Sequence, residues 1–433
     1  MSMSQPAPGD AAPAPDSAAS RPGTSAAPPS PAARAGFMLA LATIGFAINF
    51  WAWALVSPLG AHYKETLGLS DFQQSVLVAV PVIVGSLGRI PVGALTDRYG
   101  GKLMFPLVTA ATIVPVLFIG FLASDSYPLM LLGGFFLGLG GTTFAIGVPF
   151  VNAWYAPERR GTAIGIFGMG MGGTAISAFT TVKIADAHGD KAPFVIVAIV
   201  LAAFAVLSWF LLRDAKAPSP STAAEGFWSR TWSTFRLPAT LQLSWLYAIG
   251  FGGFVAFSVY LPTDLHNAYG LSTSDAANRT AGFVILAVIA RPVGGWLSDR
   301  FGGVPVSVVC FGAAAVLAFV ESFQPSLDLW GTVGFLGLAA VLGASSGATF
   351  ALVAKVAPPG KVGAVTGLVG AAGGLGGFIP PLIMGAVYGA QGDYDLGFIL
   401  LAVIALLTML FTLGPVRRRA QQTAAEAAGG PTA

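Results

Sequence analysis

Twelve continuous apolar runs, separated by short polar loops, constrain this 433-residue chain more than any other feature. They lie near 36–59, 72–95, 103–124, 128–152, 160–183, 193–213, 239–263, 275–298, 304–323, 330–355, 362–388 and 394–414. Each is close to the roughly 20 residues that an α-helix needs to cross a bilayer. The runs are unbroken rather than alternating, which points to helices and not to barrel strands. Charged residues make up only 9% of the chain, against about 25% in a soluble domain. The expected fold class is an all-α membrane protein with twelve transmembrane helices.

The ends read differently. Residues 1–34 are rich in Pro, Ala, Ser and Gly and are expected to be a disordered tail. They lack the compact basic-then-apolar layout of a cleavable signal. Residues 35–213 hold six runs, 214–238 form a central loop, 239–414 hold six more, and 415–433 form a second tail. The later part of the central loop carries Trp228, Trp232 and Phe235 with Arg230 and Arg236. A short helix lying on the membrane interface and a plain linker both fit that composition.

Lysine and arginine set the orientation. With both tails cytoplasmic, the inside segments hold 16 of the 22 basic residues, among them Arg98, Arg159, Arg160, Arg300 and Arg417 to Arg419. The outside loops hold 4: Lys64, Lys183, Lys191 and Arg279. The remaining 2, Arg89 and Arg291, sit inside apolar runs. The expected placement is multi-pass in the cytoplasmic membrane, both termini inside. The net charge of +3 is too small to imply nucleic acid. A lone cysteine, Cys310, excludes an intramolecular disulfide and a cysteine metal site. His62, His188 and His266 lie in or near external loops, and no His/Asp/Glu constellation gathers at one depth. No metal, no cofactor and no enzymatic activity are expected.

The two intramembrane arginines belong to a repeat. RIPVGALTDRYGG (89–101) and RPVGGWLSDRFGG (291–303) lie 202 residues apart and share Arg, Gly, Leu, Asp, Arg, Gly and Gly. The same offset relates PERRGTAIGIFGMGMGG (157–173) to PGKVGAVTGLVGAAGGL (359–375). Two stretches with one offset indicate a duplicated half of six helices. Each arginine is eight residues before an aspartate at the membrane edge, so it sits about 12 Å deep in a core of roughly 30 Å. Charge at that depth is costly and usually functional. The bland alternative is a buried ion pair, but the acids map to tails, loops and helix ends, with Asp264 and Glu321 at the ends of runs. Two cations without an acid require an anion, and the guanidinium fork suits a small oxyanion. Gly161, Gly165, Gly168 and Gly172 form one helix stripe, repeated by Gly363, Gly367, Gly370 and Gly374. Close helix packing and a narrow binding centre both account for it.

Two six-helix halves joined by a central loop resemble the major facilitator superfamily. GALTDRYGGK (93–102) resembles that superfamily's loop motif, and GWLSDRFGG (295–303) is its second-half copy. The resemblance implies a substrate site between the halves and a cytoplasmic gate formed by Gly93, Asp97, Arg98, Gly295, Asp299 and Arg300. Within the superfamily the chain is similar to the nitrate/nitrite porters over nearly all of 36–414. The paired arginines carry the resemblance with GIFGMGMGG (165–173), GAAGGLGGFIPP (370–381) and YAIGFGGFVAFSVYLP (247–262). It implies that Arg89 and Arg291 hold nitrate or nitrite, that Tyr247 donates a hydrogen bond, and that Phe144, Phe251 and Phe350 are aromatic neighbours. Gly168, Gly172, Gly370 and Gly374 would line the centre. Met171 stands where the first signature usually carries an asparagine, and Thr174 is the nearest replacement donor.

Arginine does not deprotonate in practice, so an anion lowers the cost of reorienting the site. Exchange of nitrate for nitrite is the expected mode. Proton-coupled nitrate symport, and exchange of formate, oxalate or cyanate, remain alternatives, as does a receptor without transport. The expected partners are the anion and membrane lipid, with the chain acting as a monomer.

Overall fold

The computed structural model describes residues 31–215, 227–358, 361–391 and 393–427. Most of the expected N-terminal tail (1–30), part of the central loop (216–226) and the last residues (428–433) lie outside the described residues.

The first half opens with α1 (Pro31–Trp53) and a short α2 (Gly60–Leu67). The second crossing is α3 (Asp71–Leu87) followed directly by α4 (Arg89–Tyr99), and the third is α5 (Gly101–Phe118). Next come α6 (Tyr127–Leu137) and α7 (Thr143–Trp154), then α8 (Arg160–Gly168) and α9 (Gly173–His188), then α10 (Ala192–Leu211). α11 (Phe227–Phe235) lies on the connection. The second half holds α12 (Pro238–Tyr269), α13 (Thr273–Phe301), α14 (Gly303–Glu321), α15 (Trp330–Val356), α16 (Val362–Gln391) and α17 (Asp395–Phe411), and α18 (Arg417–Ala427) follows. Among the described residues, 12 stretches are long and apolar enough to cross a membrane. This is a multi-pass, all-α membrane protein.

Three crossings of the first half are interrupted where their second-half counterparts are not. α3 and α4 meet at Gly88, α6 and α7 at a tightened turn over Gly138–Thr142, and α8 and α9 at another over Met169–Gly172. α13, α15 and α16 run through without a break. Tightened turns inside long helices often mark functional positions.

The packing is inside-out relative to a soluble protein. Val114, Leu122 and Val309 are each 69% exposed, which costs nothing against lipid tails. The buried face is dense with Phe and Ala, including Phe46, Phe105, Phe144, Phe311 and Phe350. The repeat's paired glycines have a backbone reason: Gly100 (φ 82°) and Gly302 (φ 90°) turn the chain from one crossing into the next. A side chain is disfavoured at such angles.

Helices extend past the expected boundaries at both ends. α1 begins at Pro31, because the PAARAG stretch is rich in good helix formers. RRRAQQTAAEA forms α18 for the same reason. Of the two readings of the central connection, its described part is a helix. Trp232 and Phe235 are exposed and stacked at 5.6 Å, and the Arg236 guanidinium lies 5.0 Å from the Trp232 ring.

Candidate functional site

Arg89 is the first residue after the Gly88 bend, and Arg291 lies in the middle of α13. Both are nearly sealed, at 3% and 4% exposed. Their partners differ. Arg89 Nε donates to the Gly141 carbonyl at 3.1 Å, and Nη1 donates to the Gly370 carbonyl at 2.8 Å. The first carbonyl belongs to the tightened turn of the same half, and the second to α16 of the other half. Arg291 Nη2 donates to Tyr247 Oη at 2.9 Å, and its Nη1 has no hydrogen-bond partner among the described residues. Neither guanidinium has a carboxylate partner among the described residues. Buried charge without a counter-charge is expensive, and here the charge is offset by carbonyl and hydroxyl dipoles and by neighbouring aromatic rings.

An aromatic cluster surrounds the pair. The Phe251 ring lies 5.7 Å from the Arg89 guanidinium carbon and 5.4 Å from that of Arg291. Phe144 lies 5.4 Å from Arg89. Tyr247 stacks on Phe251 at 4.8 Å with an interplanar angle of 4°. Phe350 stands edge-on to both Tyr247 (4.6 Å) and Phe144 (4.7 Å). The rings present negative faces to the cations.

The glycines explain the closeness. A Cβ on Gly168 would stand 3.2 Å from Arg291 Nε, and one on Gly370 would stand 3.0 Å from Arg89 Cδ. Each glycine faces the arginine of the opposite half. Gly172 and Thr174 lie elsewhere: a Cβ on Gly172 would meet only Val288, at 3.9 Å, and Thr174 donates to the Met171 carbonyl at 2.9 Å. A side chain at Gly374 would collide with Ser86, not with an arginine. Met171 and Thr174 help wall a cavity of about 270 Å³, with Phe50 and Trp53 from one half and Phe251, Phe254 and Val284 from the other.

At the other end the halves are locked together. Asp97 accepts hydrogen bonds from the backbone N–H of Gly363 (2.9 Å) and Ala364 (3.0 Å), at the start of α16. Asp299 accepts from the N–H of Gly161 (2.9 Å) and Thr162 (2.6 Å), and from the Thr162 hydroxyl (2.7 Å), at the start of α8. Each aspartate thus caps a helix N-terminus of the opposite half, where exposed N–H groups and the helix dipole favour negative charge. A Cβ on Gly93 would stand 2.5 Å from the Gly363 carbonyl oxygen, and Gly295 packs equally closely on Gly161. Among the described residues, Arg98 and Arg300 make no hydrogen bond or ion pair to the opposite half, although Arg300 borders a cavity with Tyr155 and Thr162 of the first half. They are exposed, and their guanidinium groups lie near rings of their own helices, Tyr99 for Arg98 and Trp296 and Phe301 for Arg300.

The structure therefore brings together Arg89, Arg291, Tyr247, Phe144, Phe251, Phe350, Gly168 and Gly370 at one level. Gly93, Asp97, Gly295 and Asp299 come together at another. Sequence reasoning missed Gly141, which supplies a carbonyl to Arg89, and Gly373, where a side chain would collide with the Tyr247 ring. It also missed Thr162 and Ala364, although the 202-residue offset already paired those two positions.

The sequence pattern of the Major Facilitator Superfamily matches residues 42–277 and 264–433. The chain is 48% identical over 376 residues to the probable nitrate/nitrite transporter NarK2 of Mycobacterium tuberculosis (strain ATCC 25618 / H37Rv), covering 86% of this chain and 95% of that protein. It is 35% identical over 380 residues to the nitrite extrusion protein of Bacillus subtilis (strain 168), covering 88% and 94%. Among solved structures, the human organic anion transporter MFSD10 is similar with a TM-score of 0.71 at 16% identity, covering 87% of this chain and 99% of that one. FucP in the outward conformation gives 0.69 at 18% identity, covering 89% and 99%. At those identities the structural likeness speaks for the fold.

Proposed function

Because the chain belongs to the nitrate/nitrite porter branch of the major facilitator superfamily, we propose that it moves nitrate and nitrite across the cytoplasmic membrane by alternating access, as an exchanger. The observation that carries this reading is the arginine pair: two sealed guanidinium groups flank one ring, and neither has an acid partner among the described residues. A small planar oxyanion fits what they lack. Arg291 Nη1 offers an unused donor, and the Tyr247 hydroxyl, which accepts from Arg291, still has its own proton to donate. Arg89 and Arg291 would hold the anion, and Phe144, Phe251 and Phe350 would confine it. Gly168 and Gly370 would keep the arginines close, with Gly172, Gly374 and Thr174 further along the path.

Alternating access follows from the two levels. Asp97 and Asp299 clasp the halves at one end, while the cavity beside Thr174 lies at the other. By the basic-residue bias, the clasped end faces the cytoplasm, both termini lie inside, and the two units are 35–213 and 239–414. Exchange follows from charge. An unloaded site would carry two uncompensated cations through a closed, dry state, whereas a bound anion offsets them. The chain is expected to work as a monomer in lipid, without cofactor, metal or nucleic acid.

The test is nitrate uptake into proteoliposomes preloaded with nitrite, against unloaded vesicles under an inward proton gradient. Uptake that requires internal nitrite supports exchange. Uptake driven by the proton gradient alone replaces exchange with symport.

A further inference from the structure

The second half buries two carboxylates that the anion site does not use. Asp264, near the far end of α12, is 3% exposed, and Glu321, the last residue of α14, is 0% exposed. Among the described residues, none of their four carboxyl oxygens has a hydrogen-bond partner. Glu321 packs directly on Gly334 of α15, where a side chain would collide with its carboxyl. Tyr269, at the end of α12, ties the two together: burial and the neighbouring Glu321 and Asp264 carboxyls hold its hydroxyl well above the usual range. A cavity of about 200 Å³ bordered by Leu261, Leu265, Arg279, Thr332 and Phe335 reaches the chain neighbours of Asp264 and Gly334.

Among the described residues, no cation is hydrogen-bonded or ion-paired to either carboxyl. Arg279 of α13 is 3.7 Å from Asp275 on its own helix. On the α17 side, Asp395 accepts from Gln324 at 3.2 Å. Asp393 and Asp328 are acids in the adjoining loops, Tyr394 is buried beside them in sequence, and His266 lies two residues along the chain from Asp264. Two like charges buried without partners are less stable than their protonated forms.

We propose that Asp264 and Glu321 form a proton-binding site, separate from the anion site, whose protonation holds the far end of α12 in the packed position seen here. α12 also carries Tyr247 and Phe251, and it walls the open cavity with Phe254, Val255 and Ser258. Asp264 is 13 residues beyond Phe251, or about 20 Å along the helix. The helices around the pair (α12, α14, α15) all belong to one half. Neither carboxyl lines the cavity between the halves, so the role assigned to this proton is regulation. Burial pushes the Asp264 carboxyl up to about 7. The packed arrangement is therefore fully favoured at pH values below the ordinary carboxylate value of about 4, and it loses favour as pH climbs from there to about 7.

The inference rests on the alternating-access reading, and its test avoids transport. The full-length chain carrying Cys310→Ala and Ser57→Cys is placed in liposomes without nitrate. A membrane-impermeant maleimide then reports how open the cavity beside Ser57 is, normalised to the denatured chain at each pH. Labelling is expected to fall about threefold or more between pH 5 and pH 8. Asp264→Asn and Glu321→Gln should each remove that fall and hold labelling at its pH 5 level, while His266→Gln should retain it. A flat profile in the parent, an unchanged fall in both carboxylate variants, or loss of the fall in His266→Gln overturns the proposal. Should neither carboxylate variant insert, infrared difference spectra of the parent decide. A protonated-carboxyl band present at pH 5 and lost by pH 8 supports the site, and its absence at pH 5 overturns it. Counterflow read on the same vesicles separates the two ideas: absent exchange with the labelling fall intact removes the transport reading and leaves the proton site.

Discussion

Arg89 and Arg291 are repeat partners held in different ways, one by two carbonyls and the other by one hydroxyl. Lysine offers a compact charge in place of a planar fork, so it cannot keep both carbonyl bonds and still face an anion. Arg89→Lys is predicted to lower the initial rate of nitrate–nitrite counterflow by about tenfold or more, the loss of one charge-assisted hydrogen bond. Retained rate would sink the two-fork argument. Tyr247→Phe removes the hydroxyl that accepts from Arg291. It is predicted to raise the KM for nitrate by about tenfold, read from concentration series in the same vesicles. An unchanged KM would exclude Tyr247 from the site.

At the scale of elements, the cross-over of partners matters most. The aspartate at the end of α4 caps α16, and the aspartate at the end of α13 caps α8. A charged cap is worth about 1 kcal/mol, which shifts a two-state equilibrium about fivefold. Asp97→Asn and Asp299→Asn are each predicted to open the clasped end by that factor, seen as reduced labelling of a cysteine at Ser57. Gly165→Ala should act more strongly in the same direction. Its Cβ would stand 2.6 Å from Pro292 Cα, backbone that cannot step aside without separating α8 from α13. Labelling equal to the parent's would show that the halves do not need this contact.

At the scale of the whole molecule, the proposed function makes the anion the counter-charge between two halves, so binding it should stabilise the assembled fold. Nitrate or nitrite at about a hundred times its dissociation constant is predicted to add about 2.7 kcal/mol. A rise in the melting temperature of the detergent-solubilised chain would register it. Sulfate, tetrahedral and larger, should do little, because Gly168 and Gly370 leave the arginines no room to retreat. Equal stabilisation by both anions would argue for loose screening in place of a shaped site.

Apolar continuity by itself determined twelve crossings, since a chain without water must satisfy its backbone locally. The repeat by itself determined two halves, two deep arginines and two edge aspartates. Tertiary structure decided the rest. GMGMGG (168–173) and GAAGGLGG (370–377) are comparably glycine-rich, yet the first contains a tightened turn and the second continues as helix. Glycine permits either, and the neighbours choose. The sequence likewise named both aspartates and both glycine stripes without pairing them. Matching motifs in the two repeats carry no label for which copy faces which, and only packing of the two halves joins Asp97 to Gly363 and Asp299 to Gly161. The carboxyl pair at Asp264 and Glu321 was hidden for a related reason: 57 residues separate them in the chain, and only the packing of α12, α14 and α15 buries both at the same end.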